Sequence, residues 1–154
     1  MSFVRYAWEV KYIGIDYGTK RIGIATSDET GSLAFPLTTI EAGREALGKI
    51  AALVKKEGAQ KIVIGESRNL SGEANPVMED IAQFKKDLEE LTRLPVEYEQ
   101  EFFSSTQAAR QFAPDGSRKE NPSQSKLDAA AAALILQSYL DRIKAAPPKA
   151  EESP

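Results

Sequence analysis

The sequence predicts a single α/β domain in which a mixed five-stranded sheet carries helices on both faces. Three observations predict it. The chain begins with three successive strand-like segments, the hydrophobic period then changes to that of amphipathic helices, and two further apolar strands alternate with those helices. A chain of 154 residues is of ordinary size for one domain.

The three N-terminal segments predict an antiparallel meander. Residues 10–16 and 21–27 are apolar runs separated by residues 17–20, a pattern that indicates a strand, a tight turn and a strand. Residues 33–40 form a third extended segment. Pro36 inside it favours an edge strand, because proline cannot donate a hydrogen bond to a neighbouring strand.

The following segments change to helical periodicity and back. Residues 42–57 carry apolar side chains at spacings of three and four, which predicts an amphipathic helix that ends at Gly58. Residues 61–65 form a short apolar strand, typical of a parallel sheet that is buried on both faces. Residues 66–75 are rich in Ser, Asn and Gly and predict a loop.

Three more elements are predicted before the last helix. A second amphipathic helix has Pro76 in its first turn, and a fifth strand opens over residues 95–98. Ser104 or Ser105 can cap a short helix that ends near Phe112.

The C-terminal part combines a polar loop, a helix and a tail. Residues 113–125 contain almost no apolar side chain and predict a mobile loop, whereas residues 126–144 are Ala-rich and favour a long helix. Residues 145–154 predict a disordered tail, so the domain is expected to span residues 1–144. This order of strands and helices is that of the RNase H-like fold.

The composition excludes several kinds of chemistry. The chain has no Cys and no His, which excludes disulfides, thiol nucleophiles, Cys/His zinc sites and imidazole catalysis. With a net charge of -3 and a pI near 5.2, the molecule lacks the basic field that holds nucleic acid non-specifically. Its longest apolar stretch, residues 129–136, is too short to span a membrane, and we expect a cytoplasmic protein without membrane contact.

Four acidic residues are predicted to converge at one edge of the sheet. Asp16 ends the first strand, Glu66 follows the fourth, Glu101 follows the fifth, and Asp128 lies in the first turns of the last helix. Carboxylates at strand ends are costly to desolvate unless a cation compensates them. Without His or Cys, the ions that suit them are Mg²⁺ or Mn²⁺, and two such ions can hydrolyse a phosphodiester.

Each acid also has a simpler interpretation. Asp16 could accept hydrogen bonds from the N–H groups of the turn that follows it, and Asp128 could favour a helix N-terminus electrostatically. Glu101 could be a solvated acid at a strand end, and Glu66 an exposed loop acid.

Basic and aromatic residues lie near the same predicted edge. Lysine and arginine side chains could contact a phosphate backbone there, although such residues are often only solvated. The candidates for nucleic-acid binding are Lys20, Arg21, Arg110, Arg118, Lys119 and Lys126. Phe102, Phe103 and Phe112 could stack on unpaired bases, although aromatic residues beside a strand end are more often part of the core.

Four segments in register resemble the signature blocks of the YqgF/RuvX family, and the resemblance covers residues 11–140. The blocks are IGIDYGTKRIGIA at 13–25, GESRNLSG at 65–72, QEFFSSTQA at 100–108 and KLDAAAAALILQSYL at 126–140. The family has an RNase H-like fold and is described both as a Holliday junction resolvase and as a nuclease that matures the 5′ end of the 16S rRNA precursor. The resemblance implies that Asp16, Glu101 and Asp128 are the catalytic, metal-binding residues, with Glu66 as a further candidate ligand.

Two positions depart from the family pattern. Members usually have Asp-Glu-Arg where this chain has Gln100, Glu101 and Phe102, so a flanking acid and a phosphate-contacting base are missing. The second departure is Glu66-Ser67, where the family usually has an apolar residue followed by Pro.

The leading hypothesis is a two-metal endonuclease that acts on structured nucleic acid in ribosome biogenesis. The acidic pI favours the rRNA precursor over a four-way DNA junction, with ribosomal particles as further partners. A resolvase must dimerise to cut two strands, and we expect a monomer or a weak homodimer because no dimer surface is evident in the sequence.

Two other classes compete with the nuclease. An ATP-binding protein of the actin or sugar-kinase type would share the Asp16-Tyr17-Gly18-Thr19 loop, but it needs a second domain that this chain lacks. A non-catalytic RNA- or ribosome-binding module is the other alternative, favoured by the departures at Gln100 and Phe102.

Overall fold

The computed structural model describes residues 10–67, 78–101 and 123–145. Within these ranges strands and helices alternate in the predicted order. The elements are β1 (Tyr12–Tyr17), β2 (Arg21–Ser27), β3 (Ala34–Glu41), α1 (Ala46–Glu57), β4 (Lys61–Ser67), α2 (Met78–Thr92), β5 (Val96–Glu101) and α3 (Gln124–Ala145).

The five strands form one mixed sheet in the order β3-β2-β1-β4-β5. β1, β2 and β3 are paired antiparallel as a meander, and β4 joins β1 in parallel, with β5 parallel to β4. The predicted mixed sheet is therefore confirmed, with β1 at its centre and β3, which contains Pro36, at one edge.

Alternating side chains on the strands build a core on each face of the sheet. On one face, Ile13 and Ile15 of β1 pack with Ile50 of α1 and with Ile81 of α2. On the other face, the core consists of small and apolar side chains of the sheet and α3. α3 lies so close to β1 that a Cβ atom on Gly14 would be only 2.7 Å from the Cβ of Leu136.

Two predicted helix starts were wrong. α1 begins at Ala46 rather than at residue 42, because the Ala42 N–H bonds the Lys20 carbonyl at 2.9 Å and Gly43 has a φ of 148°. α3 begins at Gln124, two residues early, because Ser123 caps it with its Oγ 3.2 Å from the Lys126 N–H. The αL end at Gly58 is confirmed.

The predicted loop after β4 was also wrong in its first two residues. β4 continues to Ser67, because Glu66 is paired with Gln100 and Ser67 with Glu101 in the parallel ladder with β5. Polar composition suggested a loop there, but pairing with the neighbouring strand extends both β4 and β5.

Several sequence predictions fall outside the described residues. They concern Pro76, the short helix from Ser104 or Ser105 to Phe112, residues 113–122 of the predicted loop, and the tail from residue 146 onward. Among the helices that the structure describes, none is long and apolar enough to cross a membrane.

Candidate active site

Asp16 is the penultimate residue of the central strand β1. It lies two residues beyond Gly14, which contacts Leu136 and Ala132 of α3, so Asp16 belongs to the face of the sheet that α3 covers. Its partner across the antiparallel pair with β2 is Gly23. The carboxylate is therefore held at the end of the central strand, between two neighbouring strands and a helix.

Asp128 is brought to the same place by the packing of α3 on β2. A Cβ atom on Gly23 would overlap the backbone carbonyl of Asp128, so the helix backbone lies directly on the strand at this point. The Asp128 side chain is 16% exposed. Asp128 therefore lies on the sheet-facing side of the last helix, next to the partner of Asp16.

The Asp16 carboxylate is buried and lies near the charge of Asp128. Burial, and to a smaller extent the charge of Asp128, raise the pKa of Asp16 from 3.8 to about 7. Among the described residues, no donor forms a hydrogen bond with the Asp16 carboxylate, so it does not accept the turn bonds that its sequence position allows. The negative charge of Asp128 close to the poorly solvated carboxylate of Asp16 favours binding of a cation between or beside them.

Arg21 supplies a positive group in contact with Asp128. Its Nε donates to Oδ2 of Asp128 at 2.7 Å, and its side chain is 39% exposed. Arg21 is the first residue of β2, so the hairpin that follows Asp16 also positions this arginine. Its predicted contact with nucleic acid stays a prediction.

Glu66 and Glu101 lie at the same edge of the sheet as Asp16. They do not follow β4 and β5, as the sequence suggested, but belong to the last two residues of these strands. Because β1, β4 and β5 run parallel, their carboxyl ends meet at one edge. The side chains of both glutamates lie outside what the structure describes.

Strand alternation separates the two glutamate positions. Glu101 is in the same alternating series as Glu97 and Glu99, both of which bond to α3. Glu66 is in the series of Ile62 and Ile64, which belong to the core beneath α1 and α2. By position in the ladder, Glu101 shares the face of Asp16 and Glu66 does not.

The described part of the site is a pair of acids and not a larger cluster. Across residues 10–67, 78–101 and 123–145, no three acidic side chains whose positions are described gather as metal ligands. Asp16 and Asp128 therefore form the described core of the site, and Glu101 is the further position on the same face.

The remaining predicted contacts with nucleic acid are only partly covered. Lys20 and Lys126 are exposed, Lys20 in the turn before β2 and Lys126 in the first turn of α3. The other basic and aromatic candidates lie outside the described residues: Arg110, Arg118, Lys119, Phe102, Phe103 and Phe112.

A polar network between β5 and α3 was not predicted from the sequence. Glu99 is only 7% exposed, and its carboxylate accepts from Arg142 Nη2 at 2.7 Å and from Ser138 Oγ at 3.0 Å. Ser138 and Arg142 are four residues apart on α3, which places them on one face of the helix. That spacing was the available signal, but only the packing of α3 identifies Glu99 as their partner.

A neighbouring part of this network joins three elements. Tyr139 donates to Glu97 at 2.7 Å, and Lys61 of β4 lies 2.9 Å from the other carboxylate oxygen. The hydrogen bond from Lys61 lowers the pKa of Glu97. These charges are already paired, and the network fixes α3 on the sheet.

The fold defines the structural class: an RNase H-like domain with the architecture of solved Holliday junction resolvases. A Fowlpox virus resolvase, solved with Holliday junction DNA, matches with a TM-score of 0.56 and 14% identity, covering 87% of this chain and 99% of its own. RuvC of Thermus thermophilus matches with a TM-score of 0.54 and 15% identity, covering 88% and 97%. At these identities the likeness shows the fold alone.

The chain belongs to the RuvX family, whose model, described as Holliday junction resolvase, matches residues 10–142. A relative from Chlorobium chlorochromatii is 39% identical over 137 residues, which are 87% of this chain and 96% of the relative. One from Chloroflexus aurantiacus is 34% identical over 144 residues, covering 92% and 94%. Both carry the name "Putative pre-16S rRNA nuclease". The family resemblance seen in the sequence is confirmed.

Proposed function

We propose that this chain is a divalent-metal-dependent endonuclease that hydrolyses phosphodiester bonds in structured RNA, and that its reaction is the 5′-end maturation of the 16S rRNA precursor. The observation that carries the proposal is the pair of carboxylates, Asp16 and Asp128, at the carboxyl end of the central strand. The names of the relatives support the RNA substrate.

The described residues fit a hard divalent ion. Asp16 has a raised pKa because of burial and a neighbouring negative charge, and no described donor compensates it. An ion bound by oxygen ligands would offset both effects. Asp16, Asp128 and Glu101 would hold it. Glu66, which alternates to the other face of the sheet, would have a smaller role or none.

The site residues have distinct tasks in this reaction. Bound Mg²⁺ or Mn²⁺, in a two-ion arrangement, supplies activation of water and stabilisation of negative charge on the phosphodiester. Asp16 holds its position because it lies within the central strand, and Asp128 because its helix backbone rests on Gly23. The chain contains no His that could act as a general base, and carboxylates of the site would orient the attacking water.

Holliday junction resolution is the second candidate function. It is supported by the description of the family model and by the resolvase fold. The acidic pI of about 5.2 favours a defined RNA site over general binding to duplex DNA.

The test compares cleavage of a labelled 16S precursor 5′ leader with cleavage of a four-way DNA junction, in Mg²⁺ or Mn²⁺. We expect the wild type to cut the RNA, EDTA to abolish the reaction, and Asp16→Asn, Asp128→Asn and Glu101→Gln each to lower the rate by at least about 100-fold. The matched control is Asp141→Asn, an exposed acid about 20 Å further along α3.

The outcomes separate the hypotheses. Cleavage of the junction in preference to RNA would replace the RNA substrate with branched DNA. Failure to cut either substrate, together with no detectable Mn²⁺ binding by titration, would overturn the catalytic proposal and leave a nucleic-acid-binding module.

A further inference from the structure

Arg21 links two parts of the site that are far apart in sequence. Its Nε donates to Oδ2 of Asp128 at 2.7 Å, across 107 positions of the chain. The carboxylate is well covered, with 16% exposure, while the arginine side chain is 39% exposed. The inner part of the guanidinium therefore lies against the acid, and the group as a whole reaches solvent.

The bond to Asp128 uses only one edge of the guanidinium. An arginine has five N–H donors in a fixed plane, one on Nε and four on the terminal Nη atoms. Within the described residues, the Nη atoms of Arg21 form no hydrogen bond. Their planar arrangement matches two phosphate oxygens, which is the geometry of many contacts between arginine and phosphate.

We propose that Arg21 is a positioning residue with two separate edges: Nε fixes the orientation of the Asp128 carboxylate toward the bound metal, and the Nη edge holds a phosphate of the RNA beside it. The inference rests on the proposed function and adds a residue that couples metal binding to substrate binding. Arg21 would thus act on metal binding through Asp128 and on substrate binding through its Nη edge.

Simple electrostatics and the positioning role predict opposite effects on metal binding. Removing a positive charge beside a cation site should strengthen Mn²⁺ binding if the charge is only a bystander. If Arg21 orients Asp128, its removal should weaken Mn²⁺ binding, because partners that orient metal ligands typically contribute about 10- to 100-fold in affinity.

Three substitutions separate the role of the Nε edge of Arg21 from the role of its Nη edge. Arg21→Gln retains an N–H group at the ε position and lacks the charged outer edge. Arg21→Lys retains a positive charge near the Nη positions and lacks the ε donor. Arg21→Met lacks both. The matched control is Arg93→Met, an exposed arginine between α2 and the start of β5, at the opposite edge of the sheet.

The measurements are Mn²⁺ affinity by calorimetry without RNA, and the salt dependence of affinity for the precursor leader in EDTA. We expect Arg21→Met to bind Mn²⁺ about 10-fold more weakly and Arg21→Gln to stay within about 3-fold of wild type. The slope of log affinity against log salt should fall by about 0.7 to 1 in the Gln and Met variants, but not in the Lys variant. Circular dichroism and Tm establish that each variant is folded.

Mn²⁺ binding by folded Arg21→Met that equals or exceeds that of the wild type would overturn the positioning role. An unchanged salt slope in both Arg21→Gln and Arg21→Met would overturn the phosphate contact. If Arg21→Met does not fold, Arg21→Lys serves the metal test, with weaker Mn²⁺ binding expected. Failure of the wild type itself to bind Mn²⁺ would instead overturn the proposed function, and this inference with it.

Discussion

The backbone carbonyl of Asp128 lies where the side chain of residue 23 would begin, and residue 23 is a glycine. Gly23 is also paired with Asp16 across β1 and β2. The position of one acid in α3 relative to the other acid in β1 therefore depends on the absence of a side chain on the strand between them.

Gly23→Ala should disturb the site through this contact. The added methyl group must displace the start of α3, which we expect to lower the free energy of unfolding by about 1–3 kcal/mol and to weaken Mn²⁺ binding. Urea denaturation and calorimetry measure the two effects. The matched control is Gly48→Ala in α1, where a Cβ atom would have open space around it. This substitution should raise the free energy of unfolding by about 0.5–1 kcal/mol. Wild-type Mn²⁺ affinity in Gly23→Ala would contradict the prediction.

Asp16→Asn should stabilise the metal-free protein at alkaline pH. The folded state raises the pKa of Asp16 from 3.8 to about 7, so this group favours unfolding increasingly as pH rises from about 4 to about 7. In EDTA, the variant should be more stable than the wild type by about 1–3 kcal/mol at pH 8, and the difference should shrink toward pH 4. Urea denaturation across this range tests it, and a difference independent of pH would count against the burial of this charge.

Adding Mn²⁺ should reverse that order of stability. A ligand that binds only the folded state at 100 times its Kd stabilises that state by about 2.7 kcal/mol. We expect saturating Mn²⁺ to raise the Tm of the wild type and of Asp141→Asn, and to leave Asp16→Asn and Asp128→Asn nearly unchanged. Equal Tm shifts in all four proteins would show that the metal binds elsewhere.

Arg142→Met should destabilise the fold without affecting the metal site. The change leaves the buried carboxylate of Glu99 without its charged partner. We expect a cost of about 1–3 kcal/mol, at the lower end for a buried pair because the Arg142 side chain is exposed and water screens its charge. The comparison is Lys49→Met, which removes an exposed ion pair to Glu45 and should change stability by no more than about 0.5 kcal/mol. Chemical denaturation and Mn²⁺ titration of both variants test this, and reduced Mn²⁺ affinity in Arg142→Met would extend the site to this network.

The sequence by itself determined the order of elements and the positions of two acids. Hydrophobic periods of two and of three to four are local properties, so they predicted the meander, the alternating helices and strands, and the end of α1 at Gly58. The family motifs then indicated Asp16 and Asp128, and the structure places these two residues next to each other.

Only the tertiary structure decided which groups contact one another around that pair. Polar runs at residues 66–67 suggested a loop, but the ladder with β5 holds them in a strand. Arg21, which the sequence offered only as a candidate for nucleic-acid binding, is bonded to Asp128, and Glu99, which the sequence did not single out, is buried against Arg142. These two side-chain contacts join residues that are 107 and 43 positions apart in the chain. A local sequence pattern carries no information about such partners, because burial, charge pairing and close backbone approach arise only when the helix packs on the sheet.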